Sequence, residues 1–343
     1  MMKHSAPTPT LIDVARRAGV STATVSRCLN FPDKVTQRTR DIVMATVAEL
    51  GYAPNFGARA MATQRTNTIG AIIPTTENAV FARGLQAFQE ELREFGFNLM
   101  VASSSYQRDL EVAQVRSLVS RGADALLLIG HIRSPEIYQF LEAQNIPALV
   151  TWTFDPDHKR PSIGFNNRTA MRDMAVEVIK RGHKNLAMMT APYERNDRAQ
   201  SRLIGLKDAM QAHGLSPDDL QVVVAPYGIE SGAAAFENLI QKDTKPTAVF
   251  CGNDVLAVGA LRKARDMGLT VPNDVSIIGF DDIDLSQVTH PMLTTVHVPH
   301  REMGKQAARA LAGLLNNGTP IQSTELPTQL KLRASLGPAP ASD

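Results

Sequence analysis

A long alternation of apolar runs with amphipathic stretches, beginning at Thr68, constrains the fold of this chain more than any other feature. Eight runs have the length and the Val, Ile, Leu and Met content of buried strands; they span 68–74, 98–103, 125–130, 147–152, 184–190, 221–226, 247–253 and 275–280. The stretches between them have helical periodicity; they span 81–95, 109–121, 135–144, 168–181, 199–213, 231–241 and 254–267. This order predicts parallel βαβ units, and the two successive sets of strands indicate two similar doubly wound α/β lobes. A strand at 294–298 and a helix at 301–315 complete the body.

Polar residues follow several of these strands, at the edge where an open parallel sheet binds its ligands. They are Asn196, Asp197, Arg198 and Arg202 after strand 184–190, Asn253 and Asp254 after 247–253, and Asp281 after 275–280. Arg pairs with carboxylates or vicinal hydroxyls, and Asn and Asp bind polyols, so we expect a sugar-like ligand between the lobes. Helix caps and salt bridges between the lobes would use the same residue types, and for Asn253 and Asp254 both interpretations are equally supported.

The sequence lacks the motifs of common catalytic and cofactor sites. It has no G-x-G-x-x-G after a strand, no G-x-x-x-x-G-K-[ST] and no G-x-S-x-G. His297 and His300 have no third ligand that would favour a metal, and acidic residues such as Asp281 and Asp282 at a strand end more often bind a polyol or cap a helix than hold a cation. We therefore expect a binding protein with no cofactor and no metal; an enzyme built on the α/β body is the less favoured alternative.

The charge of the chain is concentrated at its beginning. Residues 1–66 contain nine Lys or Arg and four Asp or Glu, whereas the whole chain has a net charge of only +2. A basic head on a slightly acidic body favours a polyanionic partner for the head. The polar residues 1–10 predict no signal sequence, no apolar run approaches the length of a membrane helix, and Cys28 and Cys251 lie far apart, so we expect a reduced, cytoplasmic setting without a membrane.

The basic head predicts three short helices in an all-α domain. They span 11–18, 22–29 and 37–50, with Thr10, Ser21 and Thr36 as N-caps, Asp13 completing a capping box, and Gly51 ending the third helix. The inner stripe of the third helix consists of Ile42, Val43, Thr46, Val47 and Leu50. Ala15, Gly19 and Val25 supply the small crossing residue, the turn and the apolar anchor that a helix-turn-helix needs.

A helix-turn-helix would place the start of its second helix in the DNA major groove. The exposed residues there are Thr22, Ala23, Ser26 and Arg27, which are suited to contacts with base edges. The short polar residues Thr10, Ser21, Thr24 and Asn30 are suited to phosphate contacts. The alternative is a small helical bundle with no role in nucleic-acid binding.

The head also resembles the N-terminus of the lactose/galactose repressor (LacI/GalR) family. The resemblance rests on TLIDVARRAGVSTATVSRCLN (10–30), V-T-x-x-T-R (35–40) and ELGYAPN (49–55), and it extends through Arg59-Ala60-Met61 over the two-lobed body to about residue 336. It implies base readers at 22, 23 and 27, further DNA contacts from Asn55 and Arg59, and a hinge helix at 55–63. In the family this helix inserts an apolar side chain into the minor groove, at a position that falls on Met61 here and is usually Leu. Gly57 should make the hinge more dependent on DNA.

The resemblance also implies a body like that of periplasmic binding proteins, with the effector between the lobes. Arg202, Asn253 and Asp281 fall on effector-contacting positions, and Asn78 and Phe81 match the first-lobe loop of the same cleft. Trp152 ends a strand that faces the cleft, where it either stacks on a sugar ring or packs between the lobes. LVTWTFD and SIGFNN are similar to the gluconate-repressor branch, which together with Arg198 and Arg202 favours a sugar acid. A neutral sugar, a sugar phosphate and a purine are the alternatives.

These features predict a transcriptional regulator, most simply a repressor of a carbohydrate or sugar-acid operon, which binds a pseudo-palindromic operator as a homodimer. We expect a helix-turn-helix domain at 8–53, a hinge at 54–66, an effector-binding and dimerisation body at 67–336, and a disordered tail at 337–343. Within the body, lobe 1 comprises about 67–166 with 298–326, and lobe 2 about 167–297 with 327–336. No leucine heptad follows residue 336, which favours a dimer over a tetramer. A transport-type sugar-binding protein shares the two lobes, but the basic head and the missing signal sequence disfavour it.

Overall fold

The computed structural model describes residues 8–53, 65–77 and 79–340, and the chain divides between Thr66 and Asn67 into two compact units, here called the head and the body. Four of the predicted site residues, Asn55, Arg59, Met61 and Asn78, lie outside the described residues, as does the predicted hinge helix at 55–63.

The described part of the head consists of short helices, as the sequence predicts. They are α1 (Leu11–Ala18), α2 (Thr22–Asn30), a 3-10 turn (Pro32–Lys34) and α3 (Gln37–Leu50). A capping box starts α1: the Thr10 backbone N donates to Asp13 Oδ2 at 2.9 Å, and the Asp13 backbone N donates to Thr10 Oγ1 at 3.4 Å. Gly19 and Gly51 end α1 and α3 in the left-handed conformation, with φ of 67° and 62°.

Val14, Ala15, Val25, Cys28 and Val43 form the core of the head, on which the three helices cross. Thr36 is the N-cap residue of α3, as the sequence predicts, although its side chain makes no capping hydrogen bond and its hydroxyl lies 3.0 Å from Thr39 Oγ1. One detail of the sequence prediction for α3 is wrong. Ile42 is 45% exposed, because the buried stripe of α3 follows its neighbour Val43 at helical spacing and residue 42 lies about 100° around the helix from it.

The first lobe of the body is built on a parallel sheet whose strands, in spatial order, run β11-β5-β4-β3-β1-β2 within the described residues. The strands are β1 (Thr68–Ile73), β2 (Asn98–Ser103), β3 (Ala125–Ile129), β4 (Ala148–Thr151), β5 (Ser162–Gly164) and β11 (Thr324–Glu325). Its crossover helices are α4 (Ala79–Glu94), α5 (Arg108–Ser120) and α6 (Pro135–Ala143). Strands β1 and β3 are buried along their whole length, because helices cover both faces of the sheet.

The second lobe repeats this plan with a parallel sheet in the order β7-β6-β8-β9. Its strands are β6 (Leu186–Thr190), β7 (Gln221–Val224), β8 (Ala248–Cys251) and β9 (Ser276–Ile278). Its helices are α7 (Asn167–Ile179), α8 (Asp197–Ala212), α9 (Ile229–Ile240), α10 (Asp254–Asp266) and the short α11 (Leu285–Val288). The prediction of two doubly wound lobes is therefore confirmed.

The last part of the chain passes between the lobes. Strand β10 (Thr295–His297) pairs in antiparallel register with β12 (Gln329–Lys331), and between them α12 (His300–Asn317) packs on α4 of the first lobe. Ser335 returns to the second lobe, where its Oγ donates to the Ile277 carbonyl at 2.6 Å. Strands β5, β11 and β12 were not expected from the sequence, because runs of two or three residues carry no periodicity.

The chain remains attached to the second lobe beyond residue 336. The Gly337 backbone N donates to Ser276 Oγ at 3.1 Å, the Gly337 carbonyl lies 3.1 Å from His183 Nε2, and the Ala339 backbone N donates to the Arg181 carbonyl at 2.9 Å. The prediction of disorder from residue 337 is therefore wrong for residues 337–340. The Gly, Pro and Ala content of this segment predicts disorder because these residues offer few side-chain contacts. The segment is held instead by its own backbone N–H and carbonyl groups.

Each folding unit buries one thiol. Cys28 is 3% exposed in the core of the head, and Cys251 is fully buried at the end of β8. In the described ranges, no helix has both the length and the apolar character needed to cross a membrane.

Candidate functional site

Helix α2 of the head presents the predicted base readers on its exposed side. Thr22, Ala23 and Arg27 are exposed, whereas Val25 and Cys28 on the opposite side are buried in the core. Ala23 and Arg27 are four residues apart and therefore share one face of the helix. This arrangement leaves the start of α2 available to a groove while its other side is fixed on α1.

The side chains predicted to contact phosphates are held by local hydrogen bonds. Ser21 caps α2, with the Thr24 backbone N donating to its Oγ at 3.1 Å, and the Ser21 and Thr24 hydroxyls lie 2.9 Å apart. Asn30 Nδ2 donates to Ser26 Oγ at 3.3 Å, and the Thr10 hydroxyl donates to Asp13. Thr10 and Ser21 are therefore helix caps, and Asn30 is held by a hydrogen bond within α2. The contact of these residues with phosphate stays a prediction.

In the body, the carboxyl ends of both sheets surround a small inner cavity of about 20 Å³. Six of the predicted ligand-binding residues border it: Phe81, Trp152, Arg198, Arg202, Asn253 and Asp281. The seventh, Asn78, is outside the described residues. The structure thus brings together residues separated by up to 200 positions in sequence, and their contact with a ligand stays a prediction.

Arg202 brings a buried positive charge to this cavity. It is 6% exposed; its Nη1 donates to the Gly252 carbonyl at 2.5 Å, and its guanidinium lies 4.4 Å from the ring centroid of Phe280. No carboxylate of the described residues lies within ion-pair distance of Arg202. Because carbonyl oxygens compensate a guanidinium charge only partly, the position is favourable for an anion.

Arg198 differs from Arg202 in having an acidic partner. Its Nη1 lies 2.8 Å from Asp197 Oδ1 and donates to the Ile129 carbonyl of the first lobe at 3.2 Å. The His131 backbone N of the first lobe in turn donates to Asp197 Oδ2 at 2.5 Å. Asp197 and Arg198 therefore connect the start of α8 to the end of β3, across the boundary between the lobes.

For Asn253 and Asp254 the sequence leaves two alternatives, a ligand-binding residue or a structural one, and the structure separates the two residues. Asn253 Oδ1 caps α10 by accepting from the Leu256 backbone N at 2.9 Å, while its Nδ2, also buried, has no hydrogen-bond partner among the described residues. Asp254 accepts from Thr295 Oγ1 at 2.6 Å and from the Ile283 backbone N at 2.8 Å, and burial raises the pKa of its carboxyl well above the usual value. Asp254 is thus a structural residue, whereas Asn253 is a cap that also offers a donor to the cavity.

Asp281 is the acidic group of the inner cavity. It is 5% exposed, and burial raises the pKa of its carboxyl to about 7, against the opposing effect of Arg202 and Arg198. His300 Nε2 lies 4.0 Å from Asp281 Oδ1, but burial lowers the pKa of His300 to about 3, so the two form no ion pair near neutral pH. Asp281 can therefore donate or accept a hydrogen bond depending on pH.

The neighbouring histidine and aspartates form a separate structural cluster. His297 Nδ1 lies 2.9 Å from Asp282 Oδ2, and Arg333 Nη2 donates to Asp282 Oδ1 at 2.6 Å. Since His297 and His300 are directed to different aspartates, they do not converge on one point. Over residues 8–53, 65–77 and 79–340, no group of His, Cys, Asp and Glu has an arrangement that could hold a metal ion.

Trp152 packs within the first lobe rather than against an open cleft. It is 3% exposed, with ring centroids 5.4 Å from Phe81 on α4 and 6.1 Å from His300 on α12. So little exposed surface leaves no ring face for stacking on a sugar, and the interpretation as a packing residue is favoured. Its buried Nε1 has no hydrogen-bond partner within the described part of the chain.

Comparison with known proteins places this geometry in a family. Residues 10–55 match the profile of bacterial regulatory proteins of the lacI family, and residues 175–336 match a periplasmic binding protein-like domain. Catabolite control protein A of Priestia megaterium is 33% identical to this chain over 95% of it and 98% of that protein. The chain belongs to the LacI family.

Further similarities cover both units. The HTH-type transcriptional repressor CytR of Escherichia coli K12 is 34% identical over 87% of this chain and 87% of its own length. The lac repressor dimer bound to operator and the anti-inducer ONPF superposes with a TM-score of 0.85 at 26% identity, covering 96% of this chain and all of that one. As a LacI-family member, the chain is a DNA-binding transcriptional regulator controlled by a small-molecule effector, with α2 and the cleft as its two candidate sites.

Two tyrosines of the cleft are not among the site residues predicted from the sequence of this LacI-family chain. Tyr106 from the first lobe and Tyr227 from the second border the inner cavity, with ring centroids 6.4 Å apart. Both also border a larger outer cavity of about 700 Å³. A signal was available, because Tyr106 follows strand 98–103 and Tyr227 follows strand 221–226, at the same carboxyl edge as the predicted residues.

Proposed function

We propose that this LacI-family regulator represses a carbohydrate or sugar-acid utilisation operon in the cytoplasm, and that a sugar acid bound between the lobes controls it. Each head would read one half-site, so a homodimer would read a pseudo-palindromic operator. The observation that carries the ligand class is Arg202, whose buried guanidinium faces the cavity without a carboxylate partner among the described residues.

The other groups around the inner cavity support an oxygen-rich anion. Trp152 Nε1, Asn253 Nδ2 and the Tyr227 hydroxyl are buried, and none has a hydrogen-bond partner in the ranges that the structure describes. Trp Nε1 and Asn Nδ2 can only donate, and a buried donor left unpaired costs about 1–3 kcal/mol. A carboxylate supplies several acceptors to such a cavity, and Asp281, which also borders it, can bind a neighbouring hydroxyl of the same ligand.

Control of the head would follow from the contacts between the lobes. Arg198 with Ile129, and Asp197 with His131, connect the lobes next to the ligand residues. A ligand that binds one lobe arrangement more tightly shifts the population towards it. The inner cavity supports a regulator rather than an enzyme, because its described lining offers charges and hydrogen-bond donors for a ligand and contains no Ser, Thr or Cys as a nucleophile.

A thermal-unfolding series on the purified full chain tests this proposal. The ligands are gluconate, glucose, glucose 6-phosphate and a purine base, at the same concentrations and pH. A ligand that binds only the folded protein raises the midpoint in proportion to RT ln(1 + [L]/Kd). We expect gluconate-type acids to raise it and glucose to leave it unchanged. A shift with the neutral sugar, the phosphate or the purine, but with none of the acids, would refute the sugar-acid proposal.

A further inference from the structure

We propose that the effector has two parts, a carboxylate end held at the inner cavity and a second, uncharged sugar ring held in the outer cavity beside Tyr106 and Tyr227. The ligand class is thus an acidic disaccharide, an aldonic acid that carries one further sugar. This inference rests on the proposed function, because it takes the effector to be a sugar acid.

The sizes of the two cavities are the first support. The inner cavity of about 20 Å³ has room for about one small polar group, whereas the outer cavity of about 700 Å³ has the size of a pocket for a complete ligand. A six-carbon acid with its carboxylate at Arg202 would occupy only a fraction of the outer cavity. The space therefore suits a ligand that continues outwards from its acidic end.

The two cavities meet at a neck formed by three residues. Tyr106, Asn196 and Tyr227 border both of them, so a ligand that reaches from one to the other passes between these side chains. The two tyrosine rings come from opposite lobes and are tilted by 54° to one another. The Tyr227 hydroxyl is buried there without a hydrogen-bond partner in the described ranges, and it can bind the oxygen that joins two sugars.

The outer cavity has the surface of a sugar site. Flat or apolar groups come from both tyrosines and from Pro192, Pro226 and Val255, and they match the C–H face of a pyranose ring. Glu77 and Glu194 are exposed at the same cavity, where carboxylates accept hydrogen bonds from hydroxyls. These two acids exceed the one cation of the described lining, Arg195, so the second ring is expected to be uncharged.

Backbone conformation assigns a particular role to Tyr106. Ser105 and Tyr106 have φ of 49° and 58°, a left-handed pair that non-glycine residues adopt only when the surrounding structure holds them. Of the described residues, Tyr106 alone borders the inner cavity, the outer cavity and a third cavity of about 210 Å³ beside Arg108. Tyr106 therefore lies where the three cavities adjoin, which makes it a specificity-determining residue for ligand length.

Titration calorimetry on the full chain, with gluconate, cellobionate and cellobiose as probes, tests this inference. We expect cellobionate to bind at least about tenfold more tightly than gluconate, which is a reasonable gain from one further ring stacked on aromatic groups, and cellobiose to bind far more weakly than cellobionate. Maltobionate and lactobionate are included so that the result does not depend on one linkage.

Variants then locate the second ring. Tyr227→Ala should bring the ratio of the cellobionate and gluconate affinities towards one, because the ring that the second sugar contacts is removed. Tyr193 borders none of the three cavities, so Tyr193→Phe should leave that ratio at the wild-type value and serves as the control for a tyrosine change outside the cleft. The ratio within one variant is insensitive to partial unfolding, since both ligands are measured on the same folded fraction.

The outcomes separate this inference from the proposed function. If gluconate binds and none of the disaccharide acids binds more tightly, the two-part ligand is refuted and the sugar-acid regulator stands. Equal binding of cellobiose and cellobionate would refute both, because the carboxylate would contribute nothing. Failure of every probe to bind would also overturn both.

Discussion

The guanidinium of Arg202 lies 4.4 Å from the ring centroid of Phe280, the residue immediately before Asp281. Two consecutive residues thus serve the same cavity: the Phe280 ring orients a buried cation, and Asp281, whose backbone N donates to the Val296 carbonyl at 2.9 Å, brings a buried carboxyl group. Stacking on the ring also limits the number of orientations of the guanidinium, so its fork is oriented before a ligand arrives.

The first prediction concerns this oriented fork. Arg202→Lys keeps the charge but removes the planar pair of donors, and we expect the affinity for a sugar acid to fall by about tenfold or more, since charged hydrogen bonds contribute about 1.5–3 kcal/mol. Operator binding without effector should be unchanged. Calorimetry and a gel-shift assay measure the two properties.

Arg172→Lys is the control for Arg202→Lys, because Arg172 is a surface residue paired with Asp173 outside the cleft. If Arg202→Lys responds to the effector as well as the control does, Arg202 does not hold the carboxylate.

The second prediction concerns base recognition by α2. Arg27 is exposed, and Arg27→Ala should relax specificity at one base pair of each half-site by about 1–3 kcal/mol. Binding to a library of single-base operator variants measures this. Arg16 on α1 has a side chain that is 77% exposed, and Arg16→Ala should either weaken binding to all operator variants equally or leave it unchanged. A uniform loss with Arg27→Ala would mean that Arg27 contacts phosphate only.

The third prediction is a pH dependence of stability from Asp281. Burial raises the pKa of its carboxyl from 3.8 to about 7, so between these pH values the folded protein binds more protons than the unfolded chain. The free energy of unfolding should therefore decrease as the pH rises through this window, by up to about 4 kcal/mol. Asp281→Asn cannot ionise, so its stability relative to wild type should increase from pH 4 to pH 8.

Urea unfolding of the ligand-free protein at each pH measures this difference. Asp284→Asn is the control, because the Asp284 side chain is 81% exposed and its charge is not desolvated. Equal pH profiles for wild type and Asp281→Asn would mean that the carboxyl is not desolvated as the structure has it.

The fourth prediction uses two glycines with nearly the same backbone conformation. Gly130 and Gly96 have φ of 75° and 74°, so alanine is strained at both positions. A Cβ at Gly130 would collide with Arg198 and Asp197 of the other lobe, whereas a Cβ at Gly96 meets no atom of the described residues within 4 Å. Gly96→Ala should therefore lower the free energy of unfolding by about 1 kcal/mol. Gly130→Ala should lower it by more and should also reduce the affinity for effector.

Thermal unfolding and titration calorimetry on both variants separate the cost of the backbone from that of the contact between the lobes. If the two variants lose the same stability and Gly130→Ala binds effector normally, the contact through Asp197 and Arg198 is not part of the ligand-binding state.

Long periodic segments and strand ends could be predicted from the sequence, because both depend on local order. The strand–helix alternation predicted the two sheets, and Arg202 and Asp281 are candidate residues because they follow strands whose carboxyl ends meet at one cavity. Strand β5 and the attached residues 337–340 could not be predicted, since backbone hydrogen bonds to distant segments hold them. Trp152 was placed correctly at a strand end, but the burial of its faces depends on α12, which comes about 150 residues later.

The two buried thiols offer an internal measure of how independently the parts of this regulator open. Cys28 lies in the core of the head and Cys251 in the core of the second lobe, where burial raises the pKa of its thiol well above the usual value. A thiol reagent reaches each cysteine only when the core around that cysteine opens. The two rates of modification therefore report the opening equilibria of the head and of the second lobe, with no cysteine introduced by mutation. Operator DNA should slow modification at Cys28, and effector should slow it at Cys251, so the two sulfur atoms report operator binding and effector binding separately.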